Sequence, residues 1–163
     1  MNPVKKIVMV VASSIVALLV VGVAYVALQC PCERTPGFFL SGEVNNEPVS
    51  DWAFANDAGL CQLQVSNGIL LQSLNLNCMS GDGELYLSCA QCDGKRWSST
   101  ALEYPAGKIR IADTVYPVSL SRVTDPEELD FAWQARANKL RRPGREVQTQ
   151  RPDHWWSFKL TSK

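Results

Sequence analysis

One histidine, His154, serves the whole chain of 163 residues. A Ser-His-Asp triad has little to draw on, and no G-x-S-x-G elbow is present to display its serine. The P-loop and the GxGxxG fingerprint are also missing, which removes the usual backbone cradles for nucleotide phosphates. Neither sign of charge is in excess, because sixteen Lys and Arg balance sixteen Asp and Glu. A neutral chain has no field to draw it onto nucleic acid, so no nucleic-acid partner is expected. No second CxxC and no histidine pair accompanies Cys89-Ala90-Gln91-Cys92, so a zinc site of the usual composition is not expected either. The length admits one globular domain and not two large ones.

What is present is unevenly spread. Between Ile7 and Leu28 no residue is charged, and the polar side chains are Ser13, Ser14 and the Tyr25 hydroxyl. As a helix this run is about 33 Å long at ~1.5 Å per residue, enough to cross a hydrocarbon core of about 30 Å. Its core is longer than that of a cleaved signal peptide, and Leu28-Gln29-Cys30 is a poor cleavage sequence. Gln29 likewise stands where a lipoprotein has a small residue ahead of the modified cysteine. The run therefore predicts an uncleaved anchor that partners the lipid bilayer. Lys5 and Lys6 before it, against Glu33 and Arg34 after it, put the N-terminus in the cytoplasm and the rest of the chain outside. The expected organisation is a cytoplasmic stub (1–6), a transmembrane helix (7–28), a linker (29–37) stiffened by Pro31 and Pro36, and a soluble domain (38–163). The expected location is the inner (plasma) membrane, with the domain on the periplasmic or extracytoplasmic side. Without Lys5 and Lys6 the rest of the chain holds fourteen basic and sixteen acidic residues, a net charge of −2.

Beyond residue 38 the pattern is mainly β. Leu60 to Val65 alternates with period two, and Ser66-Asn67-Gly68 is a hairpin turn. Ile69 to Cys78 returns, Gly81-Asp82-Gly83 turns again, and Glu84 to Cys89 alternates. A second block runs from Lys108 to Ile111, turns at Ala112-Asp113 and continues from Thr114 to Val123, where Pro117 predicts an edge or a bulge. One helix is signposted by Asp125 as cap, Pro126 in the first turn, and Leu129, Ala132, Trp133 and Leu140 at helical spacing. Pro143-Gly144 stops it. Lys139 and the neighbouring arginines load its C-terminal end, as the helix dipole favours. Trp155 to Leu160 reads as a closing strand. Asp51 to Phe54 reads as a short core-packing helix. A meander, a helix and a closing strand predict a small barrel with one or two covering helices.

Cys61, Cys78, Cys89 and Cys92 fall within this domain. In an oxidising compartment they are disulfide candidates, and four cysteines allow three complete pairings among which the sequence does not choose. Buried free thiols, a metal site and redox chemistry stay open beside them. Cys89-Ala90-Gln91-Cys92 does not look thioredoxin-like, because Asp93-Gly94 follows it where such a motif continues into a helix. Cys30-Pro31-Cys32 reads as a juxtamembrane pair, poorly spaced to bond within itself.

In order and spacing these stretches resemble the FMN-binding split-barrel superfamily, which includes pyridoxamine-phosphate-oxidase-like and deazaflavin-dependent nitroreductase-like proteins. Gly81 to Leu87 is similar to its "DG-x-LYV" hairpin. Lys95-Arg96-Trp97 followed by Pro105 resembles its "K-x-W-x-x-N-L-x-x-x-P" segment, with Thr100 in place of the Asn. Lys108 to Tyr116, Val123 to Glu127 and Trp156 to Leu160 resemble its later strands and the start of its helix. The resemblance implies a six-stranded split barrel, often a homodimer, that holds a flavin-type cofactor. It implies Lys95, Arg96, Trp97, Ser98, Ser99 and Thr100 as the cofactor-binding segment, with the phosphate met by the cations and hydroxyls. On this reading the chain is a membrane-anchored oxidoreductase that uses FMN or a deazaflavin. The anchor and the altered segment equally suit a cofactor-free interaction module or accessory subunit of a membrane complex.

Overall fold

The structure is a computed structural model that describes residues 3–28, 36–144 and 146–163. Cys30, Cys32, Glu33, Arg34 and most of the expected linker lie outside the described residues.

Helix α1 spans Pro3–Leu28 and is long and apolar enough to cross a membrane, though a signal sequence would meet the same criterion. Its two serine hydroxyls do not compete with the helix. Ser13 and Ser14 donate to the carbonyls of Met9 and Val10, one turn back, which satisfies both within the helix itself. Its described side chains, Pro3 to Tyr25, are all exposed, so no other described residue covers this apolar surface.

Seven strands follow: β1 (Glu43–Val44), β2 (Cys61–Ser66), β3 (Leu71–Gly81), β4 (Glu84–Cys89), β5 (Ala106–Ile111), β6 (Thr114–Val123) and β7 (Trp156–Ser162). Six of them close a barrel in the order β6-β5-β2-β3-β4-β7, and β7 pairs back onto β6. Every pairing around the barrel is antiparallel, while β1 adds to β6 in parallel. The expected mainly β split barrel is the observed fold. Pro117 lies where β6 changes partners. On one side of β6, β1 pairs with Thr114 and Val115, and β7 takes over at Val118. Tyr116 and Pro117 lie between the two partners; Pro117 has no N–H to donate, and its carbonyl accepts from the Lys163 N–H just past β7.

The turns follow the sequence chemistry. Asp82 and Gly83 both have positive φ, the conformation that a two-residue hairpin requires. At the β2–β3 turn the Asn67 side chain accepts from the N–H groups of Ile69 and Leu70. Ala112 takes φ +52° at the β5–β6 turn, a left-handed conformation unfavourable for a residue with a Cβ.

Alternate residues fill the barrel. Leu63, Val65, Leu85, Leu87, Ile109, Val118, Phe158 and Leu160 are all essentially inaccessible, each contributing about 1.5–3 kcal/mol by burial. A second core lies outside the barrel wall. There Met79, Tyr86 and Val123 on the outer faces of their strands meet Ala132, Trp133 and Ala135 of helix α3 (Pro126–Leu140), with Trp155 beside them. Asp125 caps α3 by accepting from the Glu128 N–H at 2.8 Å, an interaction worth about 1 kcal/mol. The Tyr86 hydroxyl donates to Glu128 at 3.1 Å and ties the helix to β4. Helix α2 (Arg96–Glu103) crosses between β4 and β5, and a 3-10 turn at Ala53–Asn56 follows the buried Trp52.

Among the described residues two disulfides form, Cys61 to Cys78 and Cys89 to Cys92, with Cα separations of 5.7 and 5.5 Å. Register selects the first pair. Cys61 sits opposite Leu76, so Cys78 lies on the same inward face, one diagonal step away. Cys89 ends β4, and the short turn after it folds Cys92 back.

Candidate functional site

The segment singled out in the sequence, Lys95 to Thr100, forms the cap and first turn of α2. The structure divides it into two groups. Trp97 and Ser98 are buried. Trp97 packs against Phe158 at 5.3 Å between ring centroids, and the Ser98 hydroxyl donates to the carbonyls of Cys92 and Lys95. These two side chains hold the helix on the barrel. Lys95, Arg96 and Ser99 are exposed, and Thr100 is half-buried. Lys95 also lies 3.7 Å from Cys89 Sγ, so its ammonium sits over the Cys89–Cys92 bridge.

Two adjoining clefts share His154. One of about 510 Å³ is bounded by Asn77 and Ser88 on β3 and β4, Trp133 and Arg136 on α3, and His154 and Trp155 before β7. Trp133 and Trp155 meet edge to face, 5.1 Å apart at 81°, and the Arg136 guanidinium lies 4.7 Å from the Trp133 ring centre. Trp133 Nε1 is buried with no hydrogen-bond partner among the described residues. The second cleft, of about 370 Å³, is bounded by Gln91, Cys92, Asp93, His154 and Trp156. His154 belongs to both, so the clefts meet at the one imidazole in the chain. The second ends at the Gln91–Asp93 turn, where Lys95 donates its N–H to the Cys92 carbonyl and α2 begins. An aromatic wall, the Arg136 guanidinium and an imidazole therefore line the joined clefts, and the turn that leads into α2 bounds them at one end.

A separate cleft of about 400 Å³ lies under α3, lined by Asn56, Ser80, Gly81, Phe131, Asn138 and Lys139 among others. Sequence reasoning treated Lys139 as an ordinary cation at a helix end. The structure instead turns it inward. Its ammonium donates to the carbonyls of Ala55 at 2.7 Å and Cys78 at 2.6 Å, and it lies 3.6 Å from Cys78 Sγ. Burial pushes its pKa down to about 8, against an opposing pull from the Asp57 carboxylate. A signal for this was present in the sequence, because Lys139 stands seven residues after Ala132 on the face that packs against the sheet. Together the two carbonyls make Lys139 a strap between α3, the 3-10 turn and β3. Among the described residues no group of three His, Cys, Asp or Glu side chains is placed to hold a metal ion.

A closed six-stranded antiparallel barrel with helices on its wall is the split-barrel fold, and solved structures share it. A provisionally assigned pyridoxamine 5'-phosphate oxidase of Listeria innocua superposes with a TM-score of 0.53 at 10% identity, covering 68% of this chain and 89% of that one. A provisionally assigned 5-nitroimidazole antibiotic resistance protein of Bacteroides thetaiotaomicron gives a TM-score of 0.53 at 9% identity, with 82% and 91% covered. ChuZ of Campylobacter jejuni gives 0.51 at 13% identity, with 68% and 50% covered. At such identities the likeness is one of fold. No family model matches the chain, and no curated protein matches it in sequence.

Proposed function

We propose that the chain is a single-pass membrane protein whose split-barrel domain faces the extracytoplasmic side and binds FMN or a deazaflavin, acting as an oxidoreductase. The observation that carries this reading is the pair of clefts meeting at His154, walled by Trp133 and Trp155 and bounded at one end by the Gln91–Asp93 turn that precedes α2. A volume near 500 Å³ is in the usual range for ligands of cofactor size. The donor set also fits a phosphate. Lys95, Arg96, Ser99 and Thr100 offer two cations at the cap and first position of α2 and two hydroxyls one turn on, the kind of group that phosphate oxygens accept from. Trp97 and Ser98 would act from beneath, by fixing where that helix lies. A bound flavin supplies hydride or electron transfer, while the protein orients it and excludes water. The two disulfides suit an oxidising compartment, in agreement with the charge bias around α1.

The test is the visible spectrum of the full-length protein purified in detergent, followed by titration with FMN. A flavin band, or saturable binding that Lys95→Glu and Arg96→Glu each weaken on the order of tenfold, is the expected result. The commitment of Trp97 and Ser98 to the core favours a second reading, a cofactor-free interaction module. A colourless protein that takes up neither FMN nor a deazaflavin would establish that alternative.

A further inference from the structure

The soluble domain gathers apolar side chains at one end of its barrel. The β2–β3 turn carries Ile69, which is 89% exposed, and Leu70, which is half exposed. Val65 pairs with Gly107, so the start of β5 lies at this same end. That brings with it Leu102 and Tyr104 from the end of α2, both more than 40% exposed. Gly37 forms a bridge with Ser73, two residues into β3, and the exposed Phe38 and Phe39 follow it directly. Six large apolar side chains from three separate stretches of sequence therefore converge on one rim. Charge is nearly absent there. No residue from Ala58 to Gly81 or from Thr35 to Gly42 is ionised, and Glu103 and Lys108 are the charges that interrupt the rim. A turn tip with an isoleucine almost wholly in water is uncommon unless something covers it.

The chain itself indicates what covers it. Helix α1 ends at Leu28, and Gly37 is already paired at this rim. Eight residues separate the two, a reach of at most about 28 Å when fully extended. We infer that this rim docks into the lipid interface beside the anchor, with Ile69 and Leu70 entering the bilayer surface and Phe38, Phe39 and Tyr104 at headgroup level. The inference rests on the reading of α1 as a membrane anchor. The domain then has a fixed face toward the membrane and is not free to turn on its tether. The β5–β6 turn, at the far end of β5, points to the aqueous phase.

The experiment uses the full-length chain with Cys30→Ser and Cys32→Ser, reconstituted in phosphatidylcholine vesicles. An environment-sensitive fluorophore is placed on Ile69→Cys, on Leu70→Cys as a second position, or on Asp113→Cys at the opposite end. Labels at 69 and 70 should show blue-shifted emission and several-fold quenching by lipids carrying a nitroxide high on the acyl chain, while the label at 113 shows neither. Equal, unquenched signals from 69, 70 and 113 in vesicle-bound protein would overturn the docking and leave the anchor intact. A blue shift at 69 without lipid quenching would also overturn it, because a protein surface, such as a second copy, would then cover the rim. Failure of the protein to float with the vesicles would remove the anchor and this contact with it.

Discussion

The two disulfides close loops of very different length, and the difference predicts how unequally they stabilise the domain. Cys61 and Cys78 are 17 positions apart, Cys89 and Cys92 only 3. By the loop-closure entropy of the unfolded chain, the first bridge is worth about 3 kcal/mol and the second about 2 kcal/mol. The absolute values depend on that model, but the constant in it cancels in the difference, which is about 1–1.5 kcal/mol. Packing does not reverse the order, because all four cysteines are buried and each replacement by alanine removes one interior sulfur. The comparison sets Cys61→Ala/Cys78→Ala against Cys89→Ala/Cys92→Ala in the full-length chain, unfolded by urea under non-reducing conditions. At typical slopes of about 1–3 kcal/mol per molar, the midpoints should differ by roughly 0.3–1.5 M, the longer loop losing more. If removing the four-residue loop costs as much as removing the longer one, or more, chain entropy is not the source of the stabilisation.

Three other outcomes follow from particular residues. Ala112 at φ +52° is exposed in a turn that glycine fits without strain, so Ala112→Gly should raise the urea midpoint by an amount equal to about 0.5–1 kcal/mol. A Cβ on Gly107 would lie 2.8 Å from Leu120 Cδ1 and 2.9 Å from the Gln64 carbonyl oxygen. Since the second neighbour is backbone, Gly107→Ala should cost about 1–3 kcal/mol in the same assay. For Lys139 the folded pKa of about 8 lies below its ordinary 10.5, so between these values the unfolded chain binds more protons than the folded one. Its contribution to stability should therefore rise as pH climbs from about 8 towards 10. The stability of the natural chain minus that of Lys139→Met should increase over that window, and a flat difference would mean that the amine is not held in this way.

The barrel was legible where the sequence stated both alternation and turn. Glu84 to Cys89 and Thr114 to Val123 have the expected limits, because each starts after a short turn and alternates inward and outward. The start of β3 was less legible. Ile69 and Leu70 extend its apolar pattern, yet the Asn67 side chain binds their N–H groups and keeps both in the turn. Helix α2 has little helical signature in the sequence, because its buried stripe is only Trp97, Ser98 and Ala101 and no side chain caps it. The second core was hidden for a different reason. Met79 and Tyr86 lie on the strand faces opposite the barrel interior, and alternation alone does not reveal that α3 covers them. The clefts at His154 depend on Trp133 and Trp155 meeting across the wall, and the inward turn of Lys139 depends on the carbonyls of Ala55 and Cys78 converging. Both are tertiary facts that no local pattern encodes.

Tension reaching the domain along the chain from α1 meets its attachments in a set order. The Gly37–Ser73 bridge is first. The bond from Arg110 to the Ser41 carbonyl and the two-residue pairing of β1 come next, and then the bond from the Trp52 N–H to Gly83. The attachments ahead of Trp52 can peel away singly. From Trp52 on the chain is packed, because Trp52 and Ala55 are buried in the core and Lys139 holds the Ala55 carbonyl. At Cys61 the peeling stops, because that first residue of β2 is bonded covalently to Cys78, and the load passes straight to β3 without opening the hairpin between them. Residues 37–60 thus form a two-stage strap, compliant as far as residue 51 and packed beyond it, in front of a covalently closed ring. Pulled from the N-terminus, a single molecule should release an extension limited to that strap before the barrel gives way, and reduction of the disulfide should abolish the limit.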